Sequence, residues 1–181
     1  MLSESLNIRE LQQSDIPLII DYWLNSDNNS LNNMGADISK VPDRAQWTQM
    51  LQEQLHQDYT DKKSYCRIWE VDGKPIGHSN VNKIVFGQEA YMHLHIWHNE
   101  FRSKGLGVQF VNLGLPYFFK NLRLQKIYCE PYALNPAPNK TVVKAGFKFV
   151  KEYITTPGSL NFEQPVKLWE ISLADALQGK A

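Results

Sequence analysis

The sequence predicts a single α/β domain built around a mixed central sheet. Three observations lead there. From Ser64 to Trp97 apolar and polar residues alternate between turn signals, the pattern of half-buried antiparallel strands. Ile16 to Trp23 and Val108 to Asn121 carry their apolar residues at helical spacing instead. After the second of these helices, Lys126 to Glu130 reads as a strand running parallel to its predecessor, which makes the sheet mixed. The chain has 181 residues, 43% of them hydrophobic and five of them Trp, enough for one buried core. No repeat or linker divides it, so residues 1–181 are expected to form one domain with a core at about 6–172.

Leu6 to Leu11 reads as a first short strand. Ser14-Asp15 offers an N-cap before Ile16, Leu18, Ile19, Tyr22 and Trp23, and Pro17 suits a helix's first turn. Asn25 to Val41 is rich in Asn, Ser, Asp and Gly, which compete with regular backbone structure, so a long loop that shapes a substrate mouth is expected. A helix over Asp43 to His56 follows. Tyr65 to Val71, Pro75 to Val85 and Glu89 to Trp97, with turns at Asp72-Gly73 and near Gly87, form an antiparallel meander. Pro116 is placed to kink the helix that follows. Phe147 to Thr155 and Val166 to Ser172 are closing strands, joined by a loop with Pro157, Gly158, Asn161, Phe162 and Pro165 that could cover an acceptor site. The tail after Ala174 is expected to fray or add a short helix.

Nineteen basic residues balance nineteen acidic ones, so no global field draws the chain to nucleic acid or to an anionic membrane. No apolar run approaches the roughly 20 residues of a membrane span, and the first residues lack a signal peptide's basic and apolar regions. A cytoplasmic protein is expected. Cys66 and Cys129 lie in separate apolar runs and read as reduced packing residues.

Arg102-Ser103-Lys104-Gly105-Leu106-Gly107 sits between the fourth strand and a helix beginning near Val108. Glycines let a backbone approach a pyrophosphate closely, and a helix start adds partial positive charge. The spacing fits neither the P-loop nor the dinucleotide fingerprint, which argues against ATP and NAD. The stretch resembles the pyrophosphate loop of the GNAT superfamily of acyl-CoA-dependent N-acyltransferases, Arg/Gln-x-x-Gly-x-Gly/Ala after the fourth strand. Arg102, Gly105 and Gly107 fill its three defined positions. A second match runs from Asn135 to Phe147, Asn-Pro-Ala-Pro-Asn-Lys-Thr-Val-Val-Lys-Ala-Gly-Phe. It is similar to the Asn-x-x-Ser-Asn-x-x-x-x-Lys-x-Gly-Phe segment of the ribosomal-protein N-terminal acetyltransferase-like branch, with Pro138 in place of Ser.

The resemblance implies a GNAT-type sheet of about six to seven strands, splayed between the fourth and fifth and flanked by about four helices, one of them from about Asn139 to Ala145. It also implies acetyl-CoA as co-substrate, without a metal. The pantetheine arm would lie along Ile96, Trp97 and His98. The pyrophosphate would rest on Arg102, Ser103, Lys104, Gly105, Leu106 and Gly107, with Asn135 and Asn139 as further contacts. Asn135 also reads as a turn former and Asn139 as a helix cap. Many members place a Tyr after the fifth strand to protonate the departing thiolate; Val142 stands there, leaving Tyr128, Tyr132 or water.

On the fourth strand Tyr91, His93, His95 and Trp97 share one face. A neutral imidazole can take a proton from an incoming amine, so His95 and His93 are candidate general bases, weighed against hydrogen-bonded core histidines. Glu130, at the end of the fifth strand, is a third candidate, weighed against a solvated strand end. His93 and His95 could share a metal ion, but His98 falls at the wrong spacing and no acidic ligand lies nearby. The expected function is transfer of an acetyl group from acetyl-CoA to a primary amine, either a protein or peptide N-terminus or a small amine, by direct attack in a ternary complex. The alternative is a catalytically inactive acyl-CoA-binding regulatory module. Expected partners are acetyl-CoA and the amine, not nucleic acid or membrane, with a homodimer left open.

Overall fold

Alternation along β2 (Ser64–Val71) explains the layering, because both of its faces are apolar. Tyr65, Trp69 and Val71 enter one core cluster, and Cys66 and Ile68 enter another on the opposite face. The computed structural model describes residues 5–178. Its sheet comprises β1 (Leu6–Glu10), β2, β3 (Lys74–Val85), β4 (Glu89–Ile96), β5 (Lys126–Cys129), β6 (Lys148–Thr155) and β7 (Gln164–Ser172). The seven strands join in the order β1-β2-β3-β4-β5-β7-β6. The β4 and β5 pair is parallel and its neighbours are antiparallel.

On one face lies α4 (Leu106–Leu122), whose Phe110 stacks on Trp69 with ring centres 5.0 Å apart. Pro116 does not break this helix, which runs unbroken for 17 residues. On the other face lie α1 (Ile16–Leu24) and α3 (Arg44–His56), where Trp23 stacks on Trp47 at 5.8 Å. Pro17 stands in the first turn of α1, and Asp43 caps α3 in a reciprocal pair with Gln46. At the sheet edge Arg9 ties β1 to the start of α1, meeting Asp15 and Glu70 each at 2.6 Å.

Three expectations are corrected. Asn25 to Val41 is not one loop: Asp27 accepts from Ser30 N and starts a short helix, α2 (Asn28–Asn33), and a single 3-10 turn follows at Ile38–Lys40. The helix after the glycine loop begins at Leu106 rather than Val108, since Gly105 takes the left-handed conformation of the cap itself. The next helix, α5 (Pro136–Lys144), begins three residues before Asn139 because Asn135, not Asn139, is its cap and Pro136 fits its first turn. A sixth helix, α6 (Leu173–Gln178), follows β7.

The splay has a local cause. Parallel pairing covers Glu89 to Tyr91 against Lys126 to Tyr128 and then stops, while β4 continues to Ile96. Beyond Cys129 the chain stays with β7 instead: Lys167 N donates to Pro131 O at 3.2 Å, and Ala133 N to Pro165 O at 2.8 Å. The last half of β4 therefore has no neighbour on its β5 side.

Candidate active site

The gap between β4 and β5 opens as a cleft of about 100 Å³, bordered by His93, His95, Glu130, Tyr132, Met34 and Asn161 among others. The loop regions before α3 and after β6 meet over it. Ala36 bridges Asn161, Asp37 N donates to Leu160 O at 2.8 Å, and Gln164, 1% exposed, donates to Gly35 O at 2.9 Å. Gly35 is required there, since a Cβ would lie 2.0 Å from Gln164 Oε1 and φ is +76°.

The backbone of β4 divides its hydrogen bonds by alternation. Trp97 N donates to Ile76 O at 2.9 Å, so Trp97, His95 and His93 spend their backbone groups on β3. Met92, Leu94 and Ile96 turn theirs toward the gap. Of the expected set Ile96, Trp97 and His98, Ile96 turns its backbone to the gap, whereas Trp97 N is engaged and His98 is exposed beyond the strand; Leu94, outside that set, borders the cleft. Strand alternation was the signal that could have found Leu94.

Arg102, expected among the pyrophosphate contacts, turns its guanidinium back to the strand. Its Nη2 and Nε donate to Ile96 O at 2.8 and 3.1 Å, closing the carbonyl that the splay leaves open. Ser103 (φ 61°) and Gly105 (φ 77°) are left-handed, and α4 begins directly after them. Space around a Gly105 Cβ is open, so this glycine serves backbone conformation. A Cβ at Gly107 would meet Thr141 on α5 at 3.4 Å, an ordinary van der Waals contact, so packing does not demand glycine there. Lys104 is exposed, its Nζ 5.8 Å from the Phe101 ring centre, and Leu106 is buried in the core.

Asn139 is committed within the protein, and Asn135, which borders the cleft, is committed through its side-chain oxygen. Asn135 Oδ1 accepts from Ala137 N at 3.2 Å. Asn139 donates to Tyr132 O at 3.0 Å and Asn135 O at 2.7 Å, and its Oδ1 accepts from Trp169 Nε1 at 2.9 Å. Both amide protons of Asn139 are spent, and its cap role belongs to Asn135. Val142 is fully buried, whereas Tyr132 borders the cleft and Tyr128 lies tilted against Tyr91 with ring centres 5.1 Å apart. Cys129 also lines the cleft, with its thiol pushed up to about 12 by burial.

His93 and His95 both border the cleft from β4, and His78 on β3 stacks on His95 at 4.8 Å. Burial, joined by neighbouring positive groups, lowers all three below an ordinary imidazole: His78 to about 3, His93 to about 4, and His95 well below 6.5. All three are neutral at pH 7. Trp97 Nε1 donates to His78 Nδ1 at 2.8 Å, and His93 Nε2 meets Asn82 Oδ1 at 3.1 Å. Glu130 has a 5% exposed side chain, not a solvated strand end, and is held by the Tyr153 hydroxyl and by Lys83 Nζ at 3.4 Å. Tyr153 and Lys83 had no signal in the sequence, since β6 and the irregular end of β3 bring them there from afar. Among the described residues no group of three His, Cys, Asp or Glu could hold a metal ion.

The sequence matches the family described as acetyltransferase (GNAT) domain over residues 5–148. Spermidine N-acetyltransferase from Vibrio cholerae, solved with CoA and spermine, superposes with a TM-score of 0.76 at 22% identity, covering 95% of this chain and 98% of that one. The ribosomal L7/L12 alpha-N-protein acetyltransferase RimL, solved with coenzyme A, gives 0.77 at 15% identity over 97% and 98% of the two chains. An uncharacterized protein from Bacillus halodurans gives 0.72 at 16% identity over 98% and 89%. No curated protein matches the sequence. The chain belongs to the GNAT acetyltransferase family.

Proposed function

We propose that this GNAT acetyltransferase moves an acetyl group from acetyl-CoA to a primary amine by direct attack in a ternary complex. The observation that carries the reading is the β4 to β5 gap, whose cleft is bordered by His93, Leu94, His95 and Glu130. The glycine loop and the start of α4 follow the open end of β4 in the chain. The residues fit the co-substrate: backbone amides at the loop for a pyrophosphate, and the Leu94 backbone groups with the Ile96 N-H for an amide-bearing arm. The thioester supplies an activated carbonyl. A β4 backbone N-H facing the gap would stabilise negative charge on its oxygen.

The acceptor amine would lie beside the histidines, under the joined loops. Because His95 is neutral, it can accept a hydrogen bond from the amine and steer its lone pair. Tyr132 is placed better than Tyr128 to give a proton to the departing thiolate, as the buried Val142 cannot. Both structural relatives act on amines, a polyamine and a protein α-amine, and that supports the coarse class rather than a choice within it. Unpaired, buried Cys66 and Cys129 fit a reducing compartment, in keeping with a cytoplasmic single-domain enzyme. The second reading, an acyl-CoA-binding module without turnover, is favoured by Val142 alone.

Thermal unfolding with and without acetyl-CoA tests the cradle. Ligand at about 100 times its dissociation constant should stabilise the native state by roughly 2.7 kcal/mol, and the Gly105→Val variant should lose most of that. No shift in the wild type at saturating ligand would remove the cofactor assignment.

A further inference from the structure

Buried His78 and the half-buried His93 and His95 differ in which ring nitrogen their neighbours leave bare. His78 Nδ1 accepts from Trp97, and His93 Nε2 faces the carbonyl oxygen of Asn82, so each of these carries its proton on Nε2. His95 is set differently. Its Nδ1 lies 3.3 Å from the Tyr22 hydroxyl, and that hydroxyl lies 3.0 Å from Met34 Sδ. A thioether sulfur only accepts, and a phenol has one proton to give. The two contacts are both hydrogen bonds in one arrangement alone, with Tyr22 donating to Met34 and His95 Nδ1-H donating to Tyr22 oxygen. The distances agree. An oxygen 3.0 Å from sulfur is close enough to require the proton between them, while 3.3 Å is long for a hydroxyl donating to imidazole. Burial pushes Tyr22 up to about 12, so it keeps that proton. His95 Nε2 has no hydrogen-bond partner among the described residues.

We infer that Tyr22, oriented by Met34, is a positioning residue that holds His95 as the Nδ1-H tautomer and presents Nε2 bare to the acceptor amine. The catalytic part of this rests on the proposed acetylation site; the tautomer does not. The titratable groups around His95 are Tyr22 on α1, His78 on β3, His93 on its own strand and Arg102 after it, and the last three disfavour a second proton on the ring.

Long-range proton-nitrogen NMR of ¹⁵N-histidine protein, with His95 assigned by His95→Gln, reads the tautomer without any substrate. The wild type should show the Nδ1-H pattern. In Tyr22→Phe the ring loses its acceptor and should shift toward Nε2-H. In Met34→Leu the sulfur is gone, so the Tyr22 proton turns to His95 Nδ1 and the tautomer flips although Tyr22 remains. Each variant should lower kcat by about tenfold while the acetyl-CoA dissociation constant holds. An Nε2-H pattern in the wild type, or an unchanged pattern in both variants, overturns the inference. A flipped tautomer with normal kcat overturns its catalytic half. If the wild type shows Nδ1-H and acetylates no amine, the acetylation reading fails and the tautomer assignment stands.

Discussion

Acidification should weaken this fold well above the pH at which carboxylates titrate, because the sheet holds buried His78 and half-buried His93 and His95 neutral. His78 and His93 titrate near 3 and 4 when folded, against 6.5 for an ordinary imidazole. The folded values are depressed, so the unfolded chain binds the extra protons. Stability from this source is complete above about pH 6.5 and is lost as pH falls toward the folded values. Between about pH 7 and about pH 5 each such group costs about 2 kcal/mol, so these two cost about 4 kcal/mol, with His95 adding in the same direction. That is a large part of the roughly 5 to 15 kcal/mol that holds a domain together. Glu10 and Asp175, whose folded values are lowered from 4.5 and 3.8, contribute only at still lower pH. Urea unfolding followed by Trp fluorescence in pH steps gives the slope, and the slope gives the proton count. About two to three protons taken up on unfolding near pH 5 is the expected result, falling by about one in His93→Gln. A flat profile from pH 7 to pH 5 would refute the burial of neutral histidines.

Arg9→Ala leaves the Asp15 carboxylate, 1% exposed, without its guanidinium and should cost about 3 to 5 kcal/mol in chemical denaturation; a loss under about 1 kcal/mol would contradict the pairing. Gly35→Ala drives a Cβ into Gln164 at a left-handed position, so it should destabilise by about 1 to 3 kcal/mol and raise KM for the amine more than for acetyl-CoA. Equal stability and kinetics would show that the joined loops do not shape the mouth. His95→Ala should lower kcat while the acetyl-CoA dissociation constant, from calorimetry, changes little; normal turnover would remove His95 from the mechanism.

The meander of β2, β3 and β4 was legible because each strand alternates and each turn is marked, as by Asp72-Gly73. The glycine loop was legible as a place in the order strand, loop, helix. Arg102 was not, because a charged side chain beside a phosphate loop can equally turn back to a strand carbonyl, and only the splay creates that carbonyl. Asn139 was misplaced as a cap, since Asn135 and Pro136 offered the same chemistry earlier. Partners such as Tyr153 for Glu130, or Gln164 for Gly35, join positions far apart in the chain and leave no local pattern. His93 and His95 could be placed on one face from period two alone, but their neutrality depends on α1 and β3 packing against them.

Amine-dependent release of CoA thiol from acetyl-CoA tests the central claim most directly. The acceptors should span α-amino peptides, polyamines and small apolar monoamines, each product being confirmed by mass. Thiol release that needs both the amine and intact His95, with an N-acetylated product, is the expected result. Saturable acetyl-CoA binding without thiol release across the whole panel would contradict it and leave a binding module on an acetyltransferase fold.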